Sequence, residues 1–273
     1  MSLCSGGVGR RAYPVGILGV DAVSVAVAYS SRLVNHSYTG PLIRVRRASD
    51  NVEQDFGPVG SGFYSQTEVD LFLGGSAGCR SKWYDQSGNG RDLLQATAAL
   101  QPSEATTTNI PGIRNLPAMQ GSSAAGTYMM ALFSTIAQPL SFAVVAAVTG
   151  GGTSRVVFDS ALTSPCLFRQ SASGASVDIV APNGLSIGAG DSNAHQWGLV
   201  FNNAGSLGVT DGVSSVSGTA GANGLTSGIN VGANRQNLQS IDGFVWEIIG
   251  YSADKTSGLP ALYANQKDCY GTP

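Results

Sequence analysis

The sequence predicts an all-β protein, a sandwich of two antiparallel sheets with an N-terminal arm and short peripheral helices. Two observations lead to this fold class, and a third describes the surface. The second half of the chain repeats short apolar runs, spaced roughly 8 to 15 residues apart, with Gly, Asn and Ser between them. No helical pattern separates these runs, as parallel β-α-β units would require. Charged residues make up only 12% of the chain, so hydroxyl and amide groups must cover much of its surface.

Length and charge limit the classes of function. The 273 residues suit one main domain, because β-sandwiches and barrels commonly reach roughly 200 to 250 residues. A formal net charge of -2 provides no field that would attract nucleic acid or anionic lipid. The basic run Arg44 to Arg47 is interpreted as a strand whose arginines pair with Asp50, Glu53 and Asp55. We therefore expect no nucleic-acid partner and no membrane span.

The first half of the chain mixes helix and strand patterns. Residues 1–20 are predicted to be an arm that docks on a neighbouring protein, and residues 21–273 to be the domain itself. Asp21 to Leu33 is predicted to be a helix that begins with Asp21 as its N-cap. A strand is expected from Ile43. The remaining predictions are a short helix over Thr67 to Leu73 and a short strand over Lys82 to Asp85. Residues 96–127 are predicted to be a long surface loop that contains a short strand.

The second half is a regular series of predicted strands, closed by a helix. Thr210-Asp211-Gly212-Val213 indicates a hairpin, because Asp-Gly supplies the positive φ angles of a type I′ turn. A helix is expected over Leu259 to Tyr270, with Gly271 as its C-cap. The predicted strands are Ser141 to Thr149, Arg155 to Asp159, Cys166 to Gln170, Ser176 to Val180, Gln196 to Asn202, Ser206 to Thr210, Gly228 to Gly232 and Gly243 to Tyr251.

Three stretches together carry a resemblance to a known group. They are the path from Ala28-Tyr29-Ser30 to Ile43-Arg44-Val45, the block Trp83-Tyr84-Asp85-Gln86-Ser87-Gly88-Asn89-Gly90, and Ala264-Asn265-Gln266 with Tyr270-Gly271-Thr272. The combination resembles the concanavalin A-like or laminin-G-like jelly rolls of bacteriophage tail-fibre and spike proteins. These jelly rolls are similar to the catalytic domain of the arabinofuranosidases of glycoside hydrolase family 54. The resemblance covers about residues 21–272.

The resemblance implies recognition of sugars on a surface, and two departures from the enzyme pattern argue against catalysis. A retaining glycosidase needs two carboxyl groups about 5 to 5.5 Å apart. Between Pro139 and Thr210 the acids are Asp159, Asp178 and Asp191, and none lies in a context that matches the nucleophile of the enzyme family. The fungal enzymes carry a pair of cysteines just before the Tyr-Asp-Gln block, whereas this sequence has Cys79 alone there. We therefore expect a protein that is not an enzyme.

The candidate ligand-binding residues are aromatic side chains and one acid. Trp83 and Tyr84 are candidate stacking surfaces beside the carboxylate of Asp85, and Tyr64 and Tyr128 are candidates for an exposed platform. The alternative for Asp85 is an architectural role, since an Asp before a turn commonly accepts backbone N–H bonds. The residues assigned to structural turns are Gln86, Ser87, Gly88, Asn89, Gly90, Asp211 and Gly212.

No metal or cofactor is expected. Calcium usually takes six to eight oxygen ligands, and Asp211 and Asp242 stand alone in their loops. His36 and His195 are far apart in the sequence and suggest no catalytic triad. The cysteines show no zinc-ligand spacing and are interpreted as buried free thiols made in a reducing compartment, with two disulfides as the alternative. They are Cys4, Cys79, Cys166 and Cys269.

The sequence thus predicts a virion structural or adhesion protein, a tail fibre, tail tip or head spike that recognises host-surface glycan. It would be made in the host cytoplasm, join other virion proteins through its arm, and form a homo-oligomer, with a trimer preferred. Low surface charge offers little resistance to self-contact, and linked copies strengthen weak sugar binding. Two alternatives remain open: an arabinofuranosidase-like glycoside hydrolase and a capsid decoration protein without a ligand.

Overall fold

In the computed structural model, which describes residues 24–105 and 109–273, nearly all regular structure is β. The described residues form eighteen strands and two α-helices, so the predicted all-β class is confirmed. The predicted arm, residues 1–20, lies outside the described residues. None of the helices formed by residues 24–105 and 109–273 is long and apolar enough to cross a membrane.

The strands and helices have the following bounds. The first nine strands are β1 (Val25–Ser30), β2 (Ile43–Arg47), β3 (Glu53–Phe56), β4 (Gly78–Trp83), β5 (Leu93–Leu94), β6 (Ser103–Ala105), β7 (Ala118–Gly121), β8 (Met129–Leu132) and β9 (Leu140–Val148). The other nine are β10 (Arg155–Ser160), β11 (Leu167–Gln170), β12 (Val177–Val180), β13 (Gly184–Gly188), β14 (Ala194–Phe201), β15 (Ser206–Thr210), β16 (Ser214–Gly218), β17 (Gly228–Val231) and β18 (Gly243–Tyr251). The helices are α1 (Gln66–Leu73) and α2 (Leu259–Tyr270).

The pairings define two antiparallel layers. The first layer has the order β13-β12-β11-β10-β17-β8-β5-β4-β2-β3. The second has the order β1-β18-β9-β14-β15-β16. Strand β6 pairs with β4 and with β7, and β7 pairs with β18, so the two layers are joined at one side. The result is a barrel-like sandwich that is nearly closed.

The core lies between the two layers. Phe142 on β9 packs against Phe158 on β10 with ring centroids 4.5 Å apart, and Phe168 on β11 packs against Trp197 on β14 at 5.0 Å. Such contacts between inward-facing side chains hold the sheets of a sandwich together. The outer face of each sheet is thereby left for helices, loops or ligands.

The second layer is covered by α2. Leu259, Leu262 and Tyr263 of this helix pack with Ala143 and Ile249, which lie on the outer face of β9 and β18. The helix begins with Pro260 in its first turn, and it ends at Gly271, whose φ of 74° is left-handed. The predicted bounds of α2 are confirmed. Helix α2 therefore covers part of the outer face of the second layer.

The predicted helix over Asp21 to Leu33 is wrong in its described part. Val25–Ser30 is strand β1, fully buried and paired with β18 along its length. Its alternating valines suit a pleated strand, and the partner strand satisfies its backbone groups, so tertiary pairing decides the structure. The part of the prediction before Ser24 lies outside the described residues.

Strand positions in the second half follow the prediction closely. All eight predicted runs are strands, with ends that differ by at most two residues. Two strands were not predicted, Gly184–Gly188 and Ser214–Gly218. Both are edge segments with largely exposed side chains, so their sequences lack the apolar alternation on which the prediction depended.

Candidate functional site

A row of outward-facing side chains crosses six strands of the first layer. Asp159 on β10 lies opposite Asn230 on β17, and Asn230 lies opposite Met130 on β8. Directly opposed residues face the same side of a sheet, and their neighbours along each strand belong to the core. The row therefore faces away from the core. It continues through Leu94, Lys82 and Arg44.

Asp159 is a fully buried acid in this row. Its Oδ1 accepts hydrogen bonds from the backbone N–H groups of Ser160 at 2.7 Å and Cys166 at 3.1 Å. Its Oδ2 accepts from the backbone N–H of Arg235 at 3.0 Å and from the guanidinium of Arg235 at 3.2 Å. Burial raises the pKa of Asp159 above its usual value, even though these donors act in the opposite direction. A carboxyl group with a raised pKa is suited to act as a general acid.

A short loop, residues 234–238, covers the row beside Asp159; we call it the Asn234 loop. The side-chain oxygen of Asn234 accepts bonds from the backbone N–H groups of Gln236 at 3.1 Å and Leu238 at 2.9 Å. Asn230 Nδ2 donates to the carbonyl of Asn234 at 2.8 Å and to Oδ1 of Asn237 at 2.9 Å. The loop thus places Arg235 on Asp159 and encloses Asn230.

A second acid lies on the same face two strands away. Asp178 on β12 is opposite Arg169 on β11, and the Nε of Arg169 lies 3.4 Å from Oδ2 of Asp178. Ile179 faces the core, so Asp178 faces outward, like Asp159. Asp159 lies across from Leu167, two residues along β11 from Arg169, so the two strand spacings and this offset separate the backbones of the two acids by about 12 Å. Each carboxylate on this part of the face therefore has an arginine partner.

Most of the predicted ligand-binding side chains are buried. Trp83 is fully buried with the guanidinium of Arg80 over its ring, and Tyr64 donates to Glu104 inside the protein. The hydroxyl of Tyr84 donates to Asp55 at 2.8 Å, and this residue is 9% exposed. These rings offer no open face for stacking with a sugar. The reason is that Trp83 and Tyr64 face the core between the layers, which their sequence contexts did not reveal.

Tyr128 is the predicted ligand-binding residue that has partial exposure. It directly precedes β8 and is half-buried. Met129 faces the core, so alternation directs Tyr128 to the outer side, where Met130 lies. Tyr128 therefore stays a candidate for contact with a ligand on this face.

Asp85 joins the Gln86-Ser87-Gly88-Asn89-Gly90 turn to β1. Its Oδ1 accepts from the backbone N–H groups of Ala28 at 2.9 Å and Ser87 at 3.0 Å. Its Oδ2 accepts from the Ser87 hydroxyl at 2.7 Å and from the backbone N–H of Arg91 at 3.0 Å. All these donors belong to the protein, and Asp85 is only 3% exposed. The geometry is that of an architectural carboxylate that holds the turn against β1.

The Asp211-Gly212 hairpin holds a histidine between two acids. Asp211 and Gly212 have φ angles of 54° and 69°, the positive values of a type I′ turn. His195 Nδ1 lies 2.6 Å from Asp211 Oδ2, and its Nε2 lies 2.9 Å from Asp191 Oδ1. The hydrogen bond to Asp211 raises the pKa of His195 to about 8. Asp242, the other acid considered for calcium, accepts bonds from Ser123 and pairs with Arg155.

The cysteines and the acid clusters give no metal centre in the described part of the chain. No group of three or more His, Cys, Asp and Glu side chains there could hold a metal ion. Cys79 and Cys166 are free thiols, and burial raises the pKa of Cys166 well above its usual value. Cys269 is disulfide-bonded, so the interpretation of the cysteines as free thiols is wrong for this residue.

Sequence reasoning did not single out Asn230, Asn234 and Arg235. The signal that could have found them is the run Asn234-Arg235-Gln236-Asn237 directly after a predicted strand, together with a polar residue in the middle of Ile229-Asn230-Val231. An Asn between two core residues of a strand faces the opposite side of the sheet. Its partners could not be identified before the loop was placed.

These features define a class: a β-sandwich protein with one sheet face covered by a helix and the other carrying a polar candidate site. The family model described as "Alpha-L-arabinofuranosidase B, catalytic" matches residues 19–256. The chain belongs to this family.

Two fungal relatives match a shorter stretch of the chain. Alpha-L-arabinofuranosidase B of Penicillium canescens is 40% identical over 73 residues, which are 26% of this chain and 16% of that protein. Alpha-L-arabinofuranosidase of Hypocrea jecorina is 38% identical over 72 residues, 26% of this chain and 14% of that protein. The matched stretches are thus a small part of these relatives.

Two solved structures share the fold. A mutant of a glycoside hydrolase family 54 α-L-arabinofuranosidase, soaked with 4-nitrophenyl α-L-arabinofuranoside, has a TM-score of 0.73 and 14% identity. The alignment covers 100% of this chain and 66% of that chain. An arabinofuranosidase complexed with arabinofuranosyl-alpha-1,2-xylobiose has a TM-score of 0.67 and 15% identity, over 90% of this chain and 62% of that chain. This chain therefore spans about two thirds of the enzymes whose fold it shares.

The comparisons correct several predictions. The bacteriophage virion assignment is wrong, and with it the tail-fibre or spike function and the virion location, because the matches are to a family of fungal arabinofuranosidases. The expectation that the chain is not an enzyme is overturned by the same match. The sandwich motifs are common to both groups, so they do not by themselves distinguish a virion protein from an enzyme.

Proposed function

We propose that this chain is a glycoside hydrolase domain that acts on a terminal α-L-arabinofuranosyl group, and that its sandwich has the concanavalin A-like jelly-roll connectivity. The family match over residues 19–256 supports the activity, and the two-layer antiparallel order supports the connectivity. We place the sugar on the outer face of the first layer, since α2 covers the outer face of the second.

The observation that carries this placement is the buried carboxyl group of Asp159, which has a raised pKa and lies next to Asn230 and Arg235. Glycoside hydrolysis uses one carboxyl group to protonate the leaving-group oxygen and another as nucleophile or base. Asp159 suits the first role, and Asp178 on the same face is the second acid. Substrate would have to displace Arg235 and Arg169 from the carboxylates, and Tyr128 lies on the side from which it would bind.

Hydrolysis of 4-nitrophenyl α-L-arabinofuranoside tests the proposal. D159N and D178N should each lower kcat/KM by at least about 100-fold, because each removes one carboxyl group from the reaction. D254N is the control, since Asp254 accepts bonds from Thr256 and Asn202 away from this face. Melting temperatures of all variants show whether a loss of activity reflects unfolding. Absence of hydrolysis by the unaltered chain would refute the activity, and full activity in both Asp variants would refute the site.

A further inference from the structure

We propose that Asn230 determines substrate specificity, and that its side-chain oxygen accepts a hydrogen bond from one hydroxyl group of the bound sugar. This inference rests on the proposed function. Asn230 is fully buried, and it lies directly opposite Asp159 across the β10–β17 pair. Opposed side chains of neighbouring strands have Cβ atoms about 4.5 to 5.5 Å apart, so a sugar beside Asp159 also lies beside Asn230.

The orientation of the Asn230 amide is fixed by its partners. Its Nδ2 donates to the carbonyl oxygen of Asn234 and to Oδ1 of Asn237. Both partners are acceptors, so only the NH₂ group can occupy that position, and rotation of the amide by 180° would place its one oxygen against two acceptor oxygens. The Oδ1 of Asn230 must therefore point away from the Asn234 loop.

This oxygen has no hydrogen-bond donor among residues 24–105 and 109–273. The nearby guanidinium is already engaged, since Arg235 Nη1 donates to Asp159 and Nε donates to the carbonyl of Thr163. On the other side of Asn230 lies Met130, whose side chain has no hydrogen-bond donor. Buried polar atoms are normally satisfied, and an orphaned acceptor beside a candidate acid suits a ligand that brings its own O–H groups.

Access to Asn230 requires the Asn234 loop to move. Leu238 is 61% exposed, and Asn237 has a left-handed φ of 57°, a conformation that asparagine adopts more readily than most residues other than glycine. The loop therefore lies at the protein surface. Movement of the loop would also remove Arg235 from Asp159, so both residues of the pair would open to the same sugar.

The test compares N230A with N237G on a set of substrates. N237G removes the amide that accepts from Asn230 but keeps Oδ1 of Asn230, and glycine tolerates the positive φ at this position. Both variants weaken the loop, and N230A alone removes the proposed acceptor. Each is assayed on 4-nitrophenyl α-L-arabinofuranoside and on analogues in which fluorine replaces the 2-, 3- or 5-hydroxyl group in turn.

We expect N230A to lower kcat/KM about 10-fold, or about 1.4 kcal/mol, on the parent substrate and on two of the three analogues. On the analogue that lacks the recognised hydroxyl, N230A and the unaltered chain should be equal within about twofold. N237G should show no such dependence on the substrate. Equal losses with all substrates, or the same pattern in N237G, would overturn the inference and leave a structural role for Asn230.

Binding provides a readout that is independent of hydrolysis. Methyl α-L-arabinofuranoside is titrated into the ¹⁵N-labelled chain, and the side-chain amide signals of Asn230, assigned by their loss in N230A, are followed. A shift of these signals without any hydrolysis would support the inference and refute the proposed activity. Hydrolysis without a shift and without the analogue pattern would refute the inference alone. Absence of both binding and hydrolysis would refute both.

Discussion

At the residue scale, the buried pair Arg32–Glu247 is an interaction on which stability depends. Arg32 Nε lies 2.8 Å from Glu247 Oε2, and both side chains are almost completely buried. Ser30, Gln266 and Tyr270 also donate to this carboxylate. Burial alone would raise the pKa of Glu247, but the charge of Arg32 and these bonds lower it below its usual value. The carboxylate is therefore charged and fully partnered.

We predict that E247Q lowers the free energy of unfolding by about 3 kcal/mol, because it leaves the guanidinium of Arg32 buried without a counter-charge. Urea unfolding at neutral pH measures the change. D50N is the matched control, since the Arg47–Asp50 pair lies at the surface and should leave the unfolding midpoint unchanged. A midpoint for E247Q equal to that of D50N would show that the pair is not important for stability.

His195 should make stability depend on pH. Its folded-state pKa of about 8 exceeds the unfolded value of about 6.5, so its protonated form is stabilised by the folded protein. The contribution is complete below pH 6.5 and is lost as the pH rises through 8. Because the ring is partly exposed, we expect a contribution of about 1 kcal/mol. The difference in unfolding free energy between the unaltered chain and H195Q should therefore shrink by about that amount from pH 6 to pH 9. A difference independent of pH would contradict this assignment.

At the element scale, the Gln86 to Gly90 turn fixes the position of β1. Asn89 Nδ2 donates to the carbonyls of Val25 and Ala26, and Asp85 accepts from the backbone of Ala28. The turn thus provides polar anchors for β1 besides its pairing with β18. Local propensity alone would allow β1 to be helical. It forms a strand because β18 and the turn both supply hydrogen-bond partners for its extended backbone.

We predict that G88V and G90V each lower the free energy of unfolding by about 1 kcal/mol or more. Gly88 and Gly90 have φ angles of 89° and 67°, and a Cβ atom at either position would meet no atom within 4 Å. The cost would therefore come from the backbone conformation and not from a clash. G60V is the control, because Gly60 has equal space and no left-handed φ. A G60V variant as unstable as the other two would point to the β-branched side chain as the cause.

At the scale of the whole molecule, the fold separates stability from the candidate site. Helix α2 and the inner faces of both layers bury the aromatic residues, whereas the outer face of the first layer gathers polar residues from strands far apart in the chain. Trp83 and Tyr64 were expected at a ligand, and they serve the core. The preference for a trimer and the docking role of residues 1–20 stay predictions.

The sequence by itself determined the all-β class, the eight strands of the second half, the hairpin at Asp211 and the C-terminal helix. These features depend on alternation, turn residues and caps within a few positions of one another, so local physics specifies them. Only the tertiary structure decided that Val25–Ser30 is a strand and that Asp159, Asn230 and Arg235 meet on one face. Pairing between distant strands brings these groups together, and no local pattern encodes which strands become neighbours.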